Sequence, residues 1–310
     1  MNTPAMVTLS THTMATRFEL VLYGADEVRL RAAGEEALAE IERLDAQLSA
    51  YRADSEINWI NRHAAAEAVR VEPRLFHLLK HCAAFTAATD GAFDVTVGPL
   101  VRAWRLATEA EAVPSTDELE AARAAVGMQN VALDSEAYTV RFKQPGMQID
   151  MGAYGKGYAI ERAVDSLKEN GVTSALLHGG TSSAAVIGTP PAQTSWRIQL
   201  SEPFELGESA MTFELINEAL SVSAIHGRAF TAGGRTYGHV IDPRTGRPVE
   251  RALAAAVVGQ SASTCEVLST ALVVLGPTWL REMDERFVGY RGAVAYRVGD
   301  AEIAIECLGL

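Results

Sequence analysis

The chain has 310 residues, 48% of them hydrophobic, and a net charge of −12, which allows a large buried core and argues against nucleic acid or an anionic membrane surface as the main partner. Its cysteines, Cys82, Cys265 and Cys307, are odd in number and lack metal-ligand spacing, so buried free thiols are expected in place of a disulfide framework or a zinc centre. No run approaches the ~20 apolar residues of a membrane span, and the start of the chain shows no basic segment followed by an apolar one, so the expected location is cytoplasmic.

Thr16 to Leu22 alternates polar and apolar residues, as a half-buried strand does, and Asp26 to Leu48 then sets Leu30, Ala33, Leu38, Ile41, Leu44 and Leu48 at helical spacing. Arg70 to Thr89 reads as a second helix stopped by Asp90-Gly91, Gly91 to Trp104 as a loop, and Glu118 to Val126 as a short third helix. Val131 to Phe142 and Met147 to Met151 read as strands around the Pro145-Gly146 turn, followed by a helix from Gly157 to Asn170 with Gly171 as its stop. Ser174 to His178, Ala184 to Ile187, Trp196 to Leu200, Thr212 to Ile216, Ala219 to Ser223 and Ala254 to Val258 are predicted strands, and Thr264 to Leu275 a helix. The order is mixed α+β. Pro190 and Pro191 mark a loop between strands and not a boundary, so residues 1–310 are expected to form a single domain.

The segment Tyr237-Gly-His-Val-Ile-Asp-Pro-Arg-Thr-Gly246-Arg-Pro-Val249 ends a strand-like run in a rigid corner. Pro243 fixes its own φ, Gly246 permits a positive one, and His239, Asp242, Arg244 and Thr245 crowd the turn. Such residues can form a site, or can brace the turn with no ligand at all. Four further segments carry polar chemistry. In Asp90-Gly-Ala-Phe-Asp-Val-Thr-Val-Gly-Pro-Leu100, small residues permit close approach of a ligand beside Phe93, Asp94 and Thr96; the same residues can serve as a packed turn. Ile149-Asp-Met-Gly-Ala-Tyr-Gly-Lys-Gly-Tyr158 is a glycine-rich opening to a helix, where backbone N–H groups and Lys156 favour a phosphate, although neither the Walker nor the Rossmann glycine pattern fits. Ser55 and Asn58 form a capping pair after Tyr51, whose ring can stack on a planar ligand or plug the edge of the core. Glu266 and Thr270 stand four apart on one helix face, offering the hard oxygen ligands that suit Mg²⁺.

Taken in order, Met14-Ala-Thr-Arg-Phe, Ser49-Ala-Tyr-Arg-Ala-Asp-Ser-Glu-Ile with Asn61, Gly91-Ala-Phe-Asp with Gly98-Pro-Leu, Asp150-Met-Gly-Ala-Tyr-Gly-Lys-Gly-Tyr and the Tyr237 to Val249 segment resemble the ApbE family, flavin transferases that move FMN from FAD onto a serine or threonine of a target protein. The resemblance implies a T-fold-like α+β architecture. It implies that Met14, Tyr51, Ala92, Phe93 and Asp94 line the flavin and adenine parts of FAD, with Lys156 and its glycines, Gly152 among them, along the pyrophosphate. It further implies Mg²⁺ held by the Gly155 carbonyl, Glu266 and Thr270, and His239 near the phosphates as proton acceptor. Asp242, close by on the turn, is a candidate to orient or charge-stabilise that histidine. Mg²⁺, Lys156 and His239 then answer the needs of attack on phosphorus: charge neutralisation, positioning and removal of one proton.

The chain departs from that family at three places. Glu266 stands where an aspartate is usual, Gly179-Gly-Thr-Ser-Ser183 where Gly-Gly-Asp is usual, and Ala224-Ile-His-Gly227 where Ala-Thr-Ser-Gly is usual. His226 is a candidate substitute for the lost hydroxyl. The lipoprotein signal common in the family is not seen, so the expected acceptor protein is on the cytoplasmic side, or there is none. An FAD pyrophosphatase and a non-catalytic FAD-binding protein are the alternative readings of the same residues.

Overall fold

Alternating residues at the N-terminus build the first edge of the main sheet. In the computed structural model, which describes residues 4–104, 113–200, 205–206, 209–225, 229–232, 235–299 and 302–309, Ala5–Thr13 (β1) and Thr16–Gly24 (β2) form a hairpin that buries Val7, Phe18, Leu20 and Leu22. The chain then leaves the sheet through helices Glu27–Leu48 (α1), Glu56–His63 (α2), Pro73–Ala88 (α3), Gly98–Ala103 (α4), Thr116–Ala124 (α5) and Gly155–Glu169 (α6). It returns as Ala175–Gly179 (β3), Ser183–Ile187 (β4), Ala219–Ala224 (β5) and Ala252–Gly259 (β6). Helices Ala262–Leu275 (α7) and Leu280–Arg286 (α8) precede the last strands, Arg291–Val298 (β7) and Glu302–Leu308 (β8). All eight strands pair antiparallel in the order β1 to β8, so every long excursion leaves and rejoins the sheet between neighbouring strands.

Helices α1, α6 and α7 cover one face of this sheet. The central strand β6 is buried on both sides: Ala255 and Val257 join the core beneath the helices, while Ala254, Ala256 and Val258 meet Trp196, Phe213 and Leu215 on the other face. That two-sided burial explains why its sequence is a continuous apolar run instead of an alternation. Ser261 caps α7 by accepting from the Thr264 N–H, and Asp26 caps α1 in the same way from Val28 and Arg29.

The α+β expectation holds, with local corrections. Val131 to Phe142 is a hairpin, Val131–Asp134 with Thr139–Phe142, because the turn places Tyr138 at φ 52°. Residues 147–151 form no strand and make a single bridge, Gln148 to Val97. Helix α4 lies inside the expected loop, and α2 follows the Ser55 cap where only a polar segment was read; Ser55 Oγ does accept from the Asn58 N–H at 3.0 Å. Strands β1, β7 and β8 were not expected. Cys82 and Cys265 are buried free thiols as expected, but Cys307 is exposed. Among the described residues no helix is long and apolar enough to cross a membrane.

Candidate functional site

Segments from widely separated parts of the chain line one cleft of about 1820 Å³. Met14, Tyr51, Ala92, Phe93, Asp94, Gly152, Gly155, Lys156, His239, Glu266 and Thr270 all border it, whereas Asp242 is not among its lining residues. At its deep end the start of α6 meets the first turns of α7. A Cβ on Gly157 would stand 2.5 Å from the Ala262 carbonyl oxygen and 2.8 Å from Glu266 Oε2, so only glycine allows the helices this close. That approach lets the Gly157 N–H donate to Glu266 Oε2. Glu266 is 4% exposed, and burial pushes its carboxyl pKa up against the opposing pull of Lys156 and the Gly157 N–H.

Hydroxyl groups surround this end of the cleft. Lys156 Nζ donates to Ser182 Oγ. Thr270 Oγ1 lies 3.1 Å from Ser223 Oγ, which also meets Ser269 Oγ at 2.8 Å, and Ser269 Oγ donates to Ser221 Oγ at 3.2 Å. Sequence reasoning noted the Gly179 to Ser183 segment only as a departure and passed over Ser221 and Ser223. Their spacing of two in a strand, which puts both on one face, was the available signal.

At the mouth, Met14 and Ala15 form the two-residue turn between β1 and β2, both at positive φ, 49° and 55°. The Tyr51 ring is 70% exposed at the rim, and its hydroxyl donates to Asp150 Oδ2 at 3.4 Å. Phe93 instead packs inward, edge-on to Phe85 and tilted against Tyr154. The Asp94 carboxylate is taken up by its own turn: Oδ1 accepts from Thr96 N at 2.8 Å and Thr96 Oγ1 at 2.6 Å, and Oδ2 from Met128 N at 3.0 Å. Burial raises the Asp94 pKa, and these hydrogen bonds oppose the rise.

His239 lines the cleft from the segment between strands Arg235–Gly238 and Ile241–Asp242. The turn after it is locked. Gly246 adopts φ 72°, its N–H donates to the Asp242 carbonyl at 2.8 Å, and its own carbonyl accepts from Trp104 Nε1 at 2.7 Å. Asp242, expected to orient the imidazole, is bonded in the structure to Arg244. Both Asp242 carboxylate oxygens are engaged by Arg244, from Nε and Nη2 at 2.9 Å each, and Oδ1 also accepts from the Arg244 N–H. The planar guanidinium matches that carboxylate with two parallel N–H bonds, which fixes the turn's geometry. His226 lies outside the described residues.

The donor set at the deep end fits a hard divalent cation. Among the described residues no group of three or more His, Cys, Asp or Glu side chains gathers anywhere, so a metal here would have one carboxylate, Glu266, with the Thr270 hydroxyl and the Gly155 carbonyl. An all-oxygen, singly charged set leaves positions for waters and phosphate oxygens, the habit of Mg²⁺.

The model of the ApbE family matches residues 14–290. The chain belongs to the ApbE family. It is 30% identical over 266 residues to an FAD:protein FMN transferase of Klebsiella pneumoniae (strain 342), covering 84% of this chain and 82% of that protein. It is 31% identical over 240 residues to an FAD:protein FMN transferase of Vibrio cholerae, covering 76% and 71%. Two solved ApbE structures share its fold. The Thermotoga maritima ApbE protein superposes with a TM-score of 0.87 at 28% identity, over 98% of this chain and 97% of that one. The apo flavinyl transferase ApbE of Pseudomonas stutzeri gives 0.88 at 28% identity, over 100% and 96%.

Proposed function

We propose that this ApbE chain, acting as a single domain, transfers the FMN moiety of FAD to a serine or threonine hydroxyl of an acceptor protein, with AMP as the leaving group. The observation that carries this reading is a cleft bordered at the junction of α6 and α7 by both Lys156 and Glu266, with an exposed aromatic residue, Tyr51, at its rim. A flavin dinucleotide needs both features: a flat surface for its ring system and concentrated charge for its pyrophosphate.

Lys156 and the N–H groups at the start of α6 bind the phosphates, and Tyr51 covers the flavin or the adenine. Glu266, Thr270 and the Gly155 carbonyl would hold Mg²⁺, which when bound would supply neutralisation of phosphate charge. His239 accepts the proton of the attacking hydroxyl, held for that task by the locked turn behind it. Asp242 acts on that turn through Arg244 and not on the imidazole directly. Phe93 and Asp94 shape the wall, Phe93 by packing and Asp94 by pinning its turn to Met128.

The test is incubation of the purified protein with FAD and Mg²⁺, with and without an acceptor protein bearing a candidate Ser/Thr site. Covalent flavin on the acceptor is the expected result. Release of free FMN in both tubes would identify a pyrophosphatase, and bound but unchanged FAD a binding protein. Glu266→Ala is expected to abolish Mg²⁺-dependent turnover with the apo fold intact, and full activity in that variant would remove the metal assignment.

A further inference from the structure

Two hydroxyls where the segment after β3 enters β4, those of Ser182 and Ser183, point to a use that the residues assigned above leave open. Lys156 Nζ is bonded to Ser182 Oγ, and an ammonium group can only donate. Ser182 Oγ is therefore the acceptor, and its own O–H proton is left to point elsewhere while the nearby positive charge strengthens it as a donor. Ser182 lines the cleft. The neighbouring residue supplies a second, independent sign. Ser183 is 6% exposed and borders the same cleft, yet its Oγ has no hydrogen-bond partner among the described residues. It stands directly across from Ser221 in the sheet, so its side chain shares the face that looks toward α7. A buried hydroxyl left unbonded is a cost to the fold, and such exceptions point to a group that arrives with a ligand.

We infer that Ser182 and Ser183, together with Lys156, form a phosphoryl-binding subsite in which the serine hydroxyls donate to anionic phosphate oxygens. This inference rests on the proposed flavin-nucleotide reading of the cleft and adds the residues that would recognise its phosphate. Two donors and one cation suit a phosphate dianion or a pyrophosphate bridge. The same chemistry comes either from the linkage of the intact dinucleotide or from the monoester of the nucleotide that leaves.

The test is equilibrium titration, without turnover, of wild type, Ser182→Ala, Ser182→Thr and Ser183→Ala with three probes in the presence of Mg²⁺: inorganic pyrophosphate, AMP and riboflavin. Ser182→Ala is expected to weaken a phosphate-bearing probe by about tenfold or more, the worth of one hydrogen bond to a charged group, with Ser182→Thr restoring it. Riboflavin affinity should not move. A loss confined to pyrophosphate places the subsite on the linkage; a loss confined to AMP places it on the leaving group. Ser183→Ala should weaken the same probe while leaving the melting temperature of the unliganded protein equal or higher, since an unsatisfied group has been removed. Unchanged affinity for both phosphates in the Ser182→Ala protein, or a Ser183→Ala protein that melts lower and binds normally, would overturn the inference. If wild type binds none of the three probes, the flavin-nucleotide reading itself fails.

Discussion

The side chain of Asn61 takes the place of a neighbouring strand for Ile149. Its Nδ2 donates to the Ile149 carbonyl at 2.9 Å and its Oδ1 accepts from the Ile149 N–H at 2.7 Å, across 88 residues of chain. The next N–H, that of Asp150, is held by the Val95 carbonyl at 2.7 Å. These bonds fix the extended segment just before the glycine-rich entry to α6, so the position of Lys156 depends on an amide on α2. Replacing Asn61 with alanine leaves two backbone groups of Ile149 without partners. The expected cost is about 1–3 kcal/mol in denaturant unfolding, together with weaker FAD binding in equilibrium titration. An Asn61→Ala protein with wild-type stability and affinity would show that this clamp does not position the cleft.

The same pair shows what the sequence could and could not convey. Residues 147–151 have the composition of a strand, and their backbone is satisfied as a strand's would be, yet the partner is a side chain no periodicity reveals. Where elements depend on local pattern, as in α1, α6 and β6, reading from sequence located them, because helical spacing follows from one buried face and a continuous apolar run from burial on both. Strand β8 was missed for a related reason: it is an edge strand whose residues are mostly exposed or half-buried, so its alternation carries little contrast. At the cleft, glycines and charged residues were legible because turns and phosphates demand particular residue types. The fate of Asp242 was not, since Asp242, Arg244 and His239 compete within one short turn and geometry alone chooses the pair.

Gly157 is the tightest point between α6 and α7, and its substitution tests whether that contact organises the site. An added methyl in Gly157→Ala meets the Ala262 carbonyl at 2.5 Å, a backbone atom that cannot swing aside. Overpacking of this kind costs about 1–3 kcal/mol. The helices must separate, which pulls the Gly157 N–H from Glu266 Oε2. Calorimetric titration with Mg²⁺ should then show weakened binding along with the lowered melting temperature. Unaltered Mg²⁺ affinity in a destabilised Gly157→Ala protein would separate the metal-binding role of Glu266 from the helix contact.

Asp94 gives the fold a pH dependence with a definite sign. Burial raises its pKa above the ordinary carboxylate value of 3.8, so the native protein holds this proton to higher pH than the unfolded chain does. Its contribution to stability is fully present below 3.8 and is lost as pH rises through the raised native value. Denaturation midpoints followed from 3.8 up through that raised value should therefore fall more steeply for wild type than for Asp94→Asn, which cannot ionise. The variant should also be less stable at every pH, because its amide presents a donor to the Thr96 or Met128 N–H now accepted by carboxylate oxygens. Parallel pH profiles for the two proteins would remove Asp94 as the source.

If Asp242 serves the site through Arg244, removing either partner should have one common effect. The pair is only partly buried, so Asp242→Ala and Arg244→Ala are each expected to cost no more than about 1 kcal/mol of stability. Both should lower kcat by a similar factor as the turn behind His239 loosens, and the double variant should be no worse than either single one. A much larger loss for Asp242→Ala than for Arg244→Ala would restore a direct role for the carboxylate at the imidazole.

His239 sits on a wall of the cleft between two short strands and ahead of a turn tied down by Trp104 and Arg123. A proton acceptor must be held within hydrogen-bond reach of the attacking hydroxyl, and that rigidity is suited to the task. His239→Ala should lower kcat by about 10²–10⁴-fold, the usual share of general-base catalysis, while FAD affinity changes little. A purely structural imidazole would give the opposite pattern: a lower melting temperature with turnover per folded molecule nearly intact. Turnover, FAD titration and thermal unfolding on the same His239→Ala preparation separate the two. A stable variant with near-normal kcat would exclude His239 as the base and leave the attacking hydroxyl to be activated by another group bordering the phosphates.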